Sequence, residues 1–340
     1  MQPLMDESGR LRAAWRLLAQ YLSYRVAVAL LANLAVGAWL LVRFGPETLT
    51  AGGPAISAAF GSPSLFLISN LASLAAVFLT VWLVGRLFDR RPFRDFGFRL
   101  GGWWVLDLFF GMALGAILIT AIFLTQLTLG WVEVSGSFDA ASGSAGTPFA
   151  LAVLVPLAAF VCVGVAEETM FRGYELRNAA EGLGGIFGPR GAVLAAWAGT
   201  SLFFGVLHAF NPNAGVLSTV NIALAGVLLG IGYVLTGELA IPIGLHITWN
   251  FFQGNVFGFP VSGLGPVGVT VLSVEQGGPT LWTGGAFGPE AGLLVTAAIA
   301  AGSLMISLWV RLLHGSAAIH APLAEGPRRD GPGMANVKDE

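Results

Sequence analysis

From residue 149 the chain reads Phe149-Ala-Leu-Ala-Val-Leu-Val-Pro-Leu-Ala-Ala-Phe-Val-Cys-Val-Gly-Val-Ala-Glu167-Glu168-Thr-Met-Phe-Arg172-Gly173. No charge interrupts Phe149 to Ala166, and about 18 mainly apolar residues are enough for a helix to cross a bilayer. Two carboxylates and an arginine then follow. Ionisable groups in such segments cost at least ~2.5 to 3.5 kcal/mol each at the bilayer centre, so they are rare there and read as functional by default. Three more polar side chains stand in apolar surroundings further on: His208, His246 and Asn250.

The whole chain has the same character. Of 340 residues, 55% are hydrophobic and only 11% charged, against about 25% charged in a soluble domain. This composition predicts an all-α, polytopic membrane helix bundle. Eight spans can be drawn: Val26 to Val42, Ser64 to Leu87, Trp104 to Gln126, Phe149 to Phe171, Ala192 to His208, Val216 to Leu235, Leu239 to Phe252, and Ala291 to Leu313. The sixth and seventh are separated only by Thr236, Gly237 and Glu238 and should form a tight hairpin. No span has the position or following small-residue site of a cleaved signal peptide, so the first is read as a signal anchor. The segment from Leu11 to Tyr24, with arginines among Trp15, Leu17, Leu18, Tyr21 and Leu22, reads as an amphipathic helix lying at the membrane surface.

Of the 17 Lys and Arg, all but Arg43 fall on one side of this topology, which places both termini in the cytoplasm. The organisation expected is a cytoplasmic amphipathic segment (1–25), three accessory helices with an outer loop (26–147), a core (148–254), a second outer loop (255–290), a last helix (291–313) and a disordered cytoplasmic tail (314–340). The second loop is long enough for short ordered structure around Val267 to Val274, but nothing in it points to chemistry. A formal charge of -2 argues against nucleic acid, and one cysteine, Cys162, excludes a disulfide and a Cys-cluster metal site. The expected surroundings are the lipid bilayer, and the expected location is a bacterial cytoplasmic (inner) membrane.

Glu167 and Glu168 point ~100° apart on a helix and cannot do the same job. Arg172 lies four residues after Glu168, the spacing of a helical ion pair in its favourable order, and the plain reading gives both to that structural pair. Glu167 is left for another partner. Phe204 and His208 share one helical face, as do His246 and Asn250. A lone histidine in an apolar helix is more often a hydrogen-bonded packing residue than a functional one. Two of them, on different spans and near an acidic pair, change that balance. If spans four and five form a hairpin turning near Gly184 to Gly188, Glu167 and His208 come to similar heights. His246 fits that bookkeeping less well, unless span five begins outside the hydrocarbon or Asn211-Pro212-Asn213 is a break facing a cavity.

A carboxylate beside an imidazole can deprotonate water and pass the proton to a leaving amine. A second imidazole beside an amide can donate to a developing oxyanion. The same set could instead hold zinc or another divalent metal, with Glu167, His208 and His246 as candidate ligands. Both routes end in peptide hydrolysis.

Three motifs occur in order on separate spans: Glu167-Glu168-x-x-x-Arg172, Phe204-x-x-x-His208 and His246-x-x-x-Asn250. Over about Phe149 to Gly254 the chain thereby resembles the CAAX protease and bacteriocin-processing (CPBP, or Abi) intramembrane proteases, which include type II CAAX prenyl proteases. The resemblance implies an intramembrane endopeptidase acting on a membrane-associated protein or peptide. It implies Glu167 and His208 as the water-activating pair, His246 and Asn250 as oxyanion donors, and Glu168, Arg172 and Phe204 as supporting residues. Members have been described both as metalloproteases and as glutamate-type proteases, and the metal-free role for Glu167 is preferred here. Substrates allowed are prenylated C-terminal peptides, bacteriocin leaders or other membrane proteins, of which the prenylated class is not expected in a bacterial setting. A non-catalytic immunity or partner-binding protein of the same family is the alternative. A proton-coupled transporter is a further alternative, against which the chain shows no internal repeat. Ser142-Gly-Ser-Ala-Gly146 reads as a linker, and Gly226-x-x-x-Gly230 as a close helix contact.

Overall fold

The structure, a computed structural model, describes residues 4–6, 8–46, 62–140 and 147–327. The Ser142 to Gly146 linker and residues 328–340 of the tail lie outside them. Helices α1 (Ala13–Phe44), α2 (Pro63–Val84) and α3 (Gly102–Thr128) come first. Strand β1 (Val132–Ala140) precedes α4 (Leu154–Glu168), and α5 (Arg177–His208), α6 (Val216–Thr236) and α7 (Ala240–Phe251) follow. Strand β2 (Val269–Gln276) and α8 (Leu293–Leu313) complete the order. Six helices among the described residues are long and apolar enough to cross a membrane.

The eight expected spans map onto these six helices with two differences. Spans four and five lie in one helical run, Phe149–His208, which passes through a π-helical stretch at Thr169–Leu176. The run breaks at Gly188, whose φ of 66° is open to glycine and whose successor, Pro189, cannot continue the ladder. Span seven is α7, continued by a π-helical turn at Phe252–Val256; it is not among the six helices, and every residue from Leu239 to Asn250 is buried. An apolar run of this length reads alike whether lipid or protein surrounds it. Here it is protein: α7 packs against α3, α4 and α6.

Missing side chains let α7 approach its neighbours. A Cβ on Gly111 of α3 would lie 2.3 Å from the Ile241 carbonyl oxygen, and one on Gly244 2.2 Å from that of Leu108. The small-residue spacing thus brings two backbones together, as it does in membrane helix pairs generally. The α6–α7 turn is as tight as expected, with Gly237 at φ 76° donating to the Tyr233 carbonyl.

Two expectations are corrected. The proposed surface helix of the N-terminal segment is the first part of α1 itself, and its Arg16 is buried among carboxylates rather than spread along an interface. Within this mainly helical fold β1 and β2 pair antiparallel, joining the segment after α3 to the segment after α7. The tail is ordered as far as residue 327. Leu323 is fully buried against α5 and α6, and the His320 amide donates to the Val234 carbonyl at 2.8 Å.

Candidate active site

Glu168, at the end of α4, is fully buried. Its Oε1 accepts from Arg172 Nη1 at 3.0 Å, which is the ion pair expected from their spacing. The same oxygen accepts from His246 Nδ1 of α7 at 2.8 Å. An ionised carboxylate can only accept, so Nδ1 carries a hydrogen and Nε2 is the atom left for chemistry. His246 Nε2 lies 3.9 Å from Glu167 Oε2. The two adjacent carboxylates therefore grip one imidazole from different sides, Glu168 by a direct bond and Glu167 across a gap.

Arg172 completes the frame. Its Nη2 donates to the Gly226 carbonyl at 3.1 Å, and its guanidinium carbon stands 4.7 Å from the Phe204 ring centroid. Gly226 is also where α6 meets α5, for a Cβ there would lie 3.0 Å from Ser201 Cα. Phe204 in turn stands 4.5 Å from the His208 ring, centroid to centroid. His208 Nδ1 donates to the Phe204 carbonyl at 2.8 Å, and Nε2 has no hydrogen-bond partner among the described residues. One arginine thus ties α4, α5 and α6 together behind the two histidines.

In front of them is a cavity of 510 Å³ lined by Glu167, His208, His246 and Asn250, with Phe160 and Trp249 among its apolar walls. Four residues predicted to act together therefore face one space. Glu167 is about a third exposed, with no hydrogen-bond partner among the described residues, and the Asn250 amide has none either. Both are free to meet a ligand. A second cavity of 290 Å³, lined by Tyr24, Arg25 and Ser73, shares Glu167, His208 and Asn211 with the first. Of the Asn211 to Asn213 break, Asn211 lines both cavities, and its Nδ2 donates to the Ser262 carbonyl at 3.0 Å.

The loop that carries Ser262, residues 255–290, in which the sequence points to no chemistry, contributes to the cavity wall. Ser262 and the buried Glu290 line the large cavity, as do Asn70 of α2 and Asn255 just beyond α7. The signal for Glu290 is faint: it is one of two acids, with Glu275, in a long loop that has no Lys or Arg.

Among the described residues no group of three or more His, Cys, Asp or Glu side chains is gathered closely enough to hold a metal ion. The hydrogen bond from His246 Nδ1 to Glu168 leaves Nε2 as the ring nitrogen that could meet a water, a substrate or a metal.

Residues 149–252 match the family described as type II CAAX prenyl endopeptidase, Rce1-like. The matched segment, less than half of the chain, holds all seven residues of the three motifs. No curated protein and no solved structure matches the chain.

Proposed function

We propose that the protein is an intramembrane endopeptidase that hydrolyses a peptide bond of a membrane-associated protein or peptide with water activated by Glu167. The observation that carries this reading is the bridge Arg172–Glu168–His246, which fixes one imidazole with its Nε2 toward Glu167 at the edge of the cavity. Buried ionic groups are costly unless every member is engaged, and this one is engaged in presenting a ligand-facing nitrogen.

In this reading a water sits between the Glu167 carboxylate and the free Nε2 of His208. Glu167 takes a proton as the water oxygen bonds to the scissile carbonyl carbon. Negative charge then grows on the carbonyl oxygen, where the Asn250 amide and a protonated His246 Nε2 donate to it. Glu168 stabilises that imidazolium through Nδ1. When the tetrahedral intermediate collapses, the C–N bond breaks and the proton held by Glu167 passes to the leaving nitrogen. Glu167 ends as a carboxylate, ready for another water.

The test is cleavage of membrane-peptide libraries by purified protein in lipid nanodiscs, read by mass spectrometry. Wild type should cut, and Glu167→Gln and His208→Ala should not. Equal cleavage by all three would remove the assignment, and activity lost to a chelator and restored by zinc would replace it with a metal route.

A further inference from the structure

Glu290 lies outside the segment that matches the family and is 5% exposed. Its carboxylate accepts from the Ser262 backbone amide and, at 3.3 Å, from the Ser262 hydroxyl. Its own backbone carbonyl is held by Asn221 Nδ2 of α6 at 2.9 Å, so the residue is anchored at both ends. What it lacks is a cation: it has no ion-pair partner among the described residues, and none of those lining the cavity is Lys or Arg. Burial pushes its carboxyl above the usual carboxylate range, against the lowering effect of Ser262, Gln253 and the nearby His208.

The neighbouring polar atoms have the same bias. Asn255 is 1% exposed and spends its Nδ2 on the carbonyls of Val267 and Val269, at 3.0 and 2.7 Å. Its Oδ1, buried and facing no donor, is left over. Gln253, two residues earlier, repeats the pattern: Nε2 bonds to the Pro260 carbonyl at 2.6 Å, and Oε1 has no partner. The Pro260 to Gly263 loop joins these groups, since Val261 packs against Gly254 and Ser262 against Glu290. Buried acceptors left unpaired cost ~1 to 3 kcal/mol each, more when charged. A ligand carrying donors and positive charge would relieve the two that line the cavity, Glu290 and Asn255.

We infer that the loop-covered end of the large cavity is a binding subsite for a cationic side chain, lysine or arginine, with Glu290 as its counter-charge and Asn255 Oδ1 as a second acceptor. Because the subsite opens on the same cavity as Glu167 and His208, a basic residue held there sets which bond lies over the water. This placement of the cut rests on the proteolytic reading, whereas the binding itself does not.

Binding is therefore tested apart from cleavage. Acetyl-Leu-Lys-Leu-amide and its norleucine counterpart would be titrated calorimetrically into wild type and Glu290→Gln in nanodiscs. Wild type should bind the lysine peptide about tenfold or more tightly than the norleucine one, and the ratio should fall to near one in Glu290→Gln. Equal binding by wild type, or a ratio that survives in Glu290→Gln, would overturn the subsite. Should that variant fail to fold, labelling of wild-type Glu290 by dicyclohexylcarbodiimide gives the answer. The lysine peptide should protect it and the norleucine peptide should not; protection by both or by neither is the overturning result. A lysine preference without any hydrolysis would leave the subsite standing and the proteolytic reading fallen, and hydrolysis without the preference would do the reverse.

Discussion

Two groups of buried charges in this molecule differ in how completely they are matched. Where α1, α2 and α5 meet, Glu181 accepts from Arg10, Arg16 and Arg91 at 2.5, 2.9 and 2.9 Å, while Asp89 takes Arg16 at 2.9 Å and the Tyr174 hydroxyl at 2.9 Å. Three guanidiniums thus surround two carboxylates. At the cavity, Glu168 is paired with Arg172 although its second oxygen has no partner, and neither Glu167 nor Glu290 has a Lys or Arg within ion-pair distance among the described residues. Saturation suits a group whose work is to hold helices together, because a buried charge that loses its partner is strongly destabilising. A deficit suits a group that waits for a ligand.

The largest expected effect tests the deficit. Glu167→Gln should lower kcat by ~10² to 10⁴, the range for a positioned general base, yet leave stability within about 0.5 kcal/mol, because the side chain is partly exposed and unbonded. Denaturant titration in detergent, run beside the cleavage assay, checks both. Large destabilisation would move Glu167 into the structural group.

Arg16→Met should do the opposite. Removing one partner from the saturated cluster leaves Asp89 and part of Glu181 uncompensated, at a cost of ~3 to 5 kcal/mol. Hydrolysis per folded molecule should stay as it was. A stable Arg16→Met with impaired turnover would show that the cluster steers the site rather than merely supporting it.

Most of this contrast rests on contacts of long sequence separation, and that decides what could be read in advance. Spacing of one helical turn was enough for the Glu168–Arg172 pair and for placing Phe204 with His208 and His246 with Asn250. Apolar length was enough to find the helical segments. Neither could show that α7 is wrapped in protein, since hydrophobicity does not say what the surroundings are. The Glu168–His246 bond joins residues far apart in the chain, and no local period encodes it. Arg16 was read on the wrong side of that limit: an arginine in an amphipathic pattern suits a membrane surface, and only Asp89 and Glu181 brought from elsewhere make its burial favourable. Glu290 and Asn255 had only weak local signals, and their acceptor surplus exists solely once the loop is folded over the cavity.

A smaller effect tests the other face of the site. Asn250→Ala should lower kcat by ~10² to 10³ with little change in KM, since a donor aimed at developing charge acts mainly in the transition state. The ratio kcat/KM against peptide length, measured under single-turnover conditions, separates this from lost packing. A raised KM with unchanged kcat would make Asn250 a substrate-binding residue instead.

The smallest effect concerns the uncompensated acid of the loop. Burial raises the Glu290 carboxyl, so its neutral form is the one the fold prefers. Folding then holds the proton more tightly than the unfolded chain does. The associated stability is fully present below the ordinary glutamate range and is lost as pH rises through the folded value. Wild type should therefore lose stability relative to Glu290→Gln as pH increases above about 4.3, whereas the difference between them should level off at lower pH. Melting temperatures of the two proteins, measured in parallel across that interval, give the difference curve. Parallel curves would mean that a hidden cation or a bound water already compensates Glu290, and the contrast between matched and unmatched charge would then be confined to Glu167.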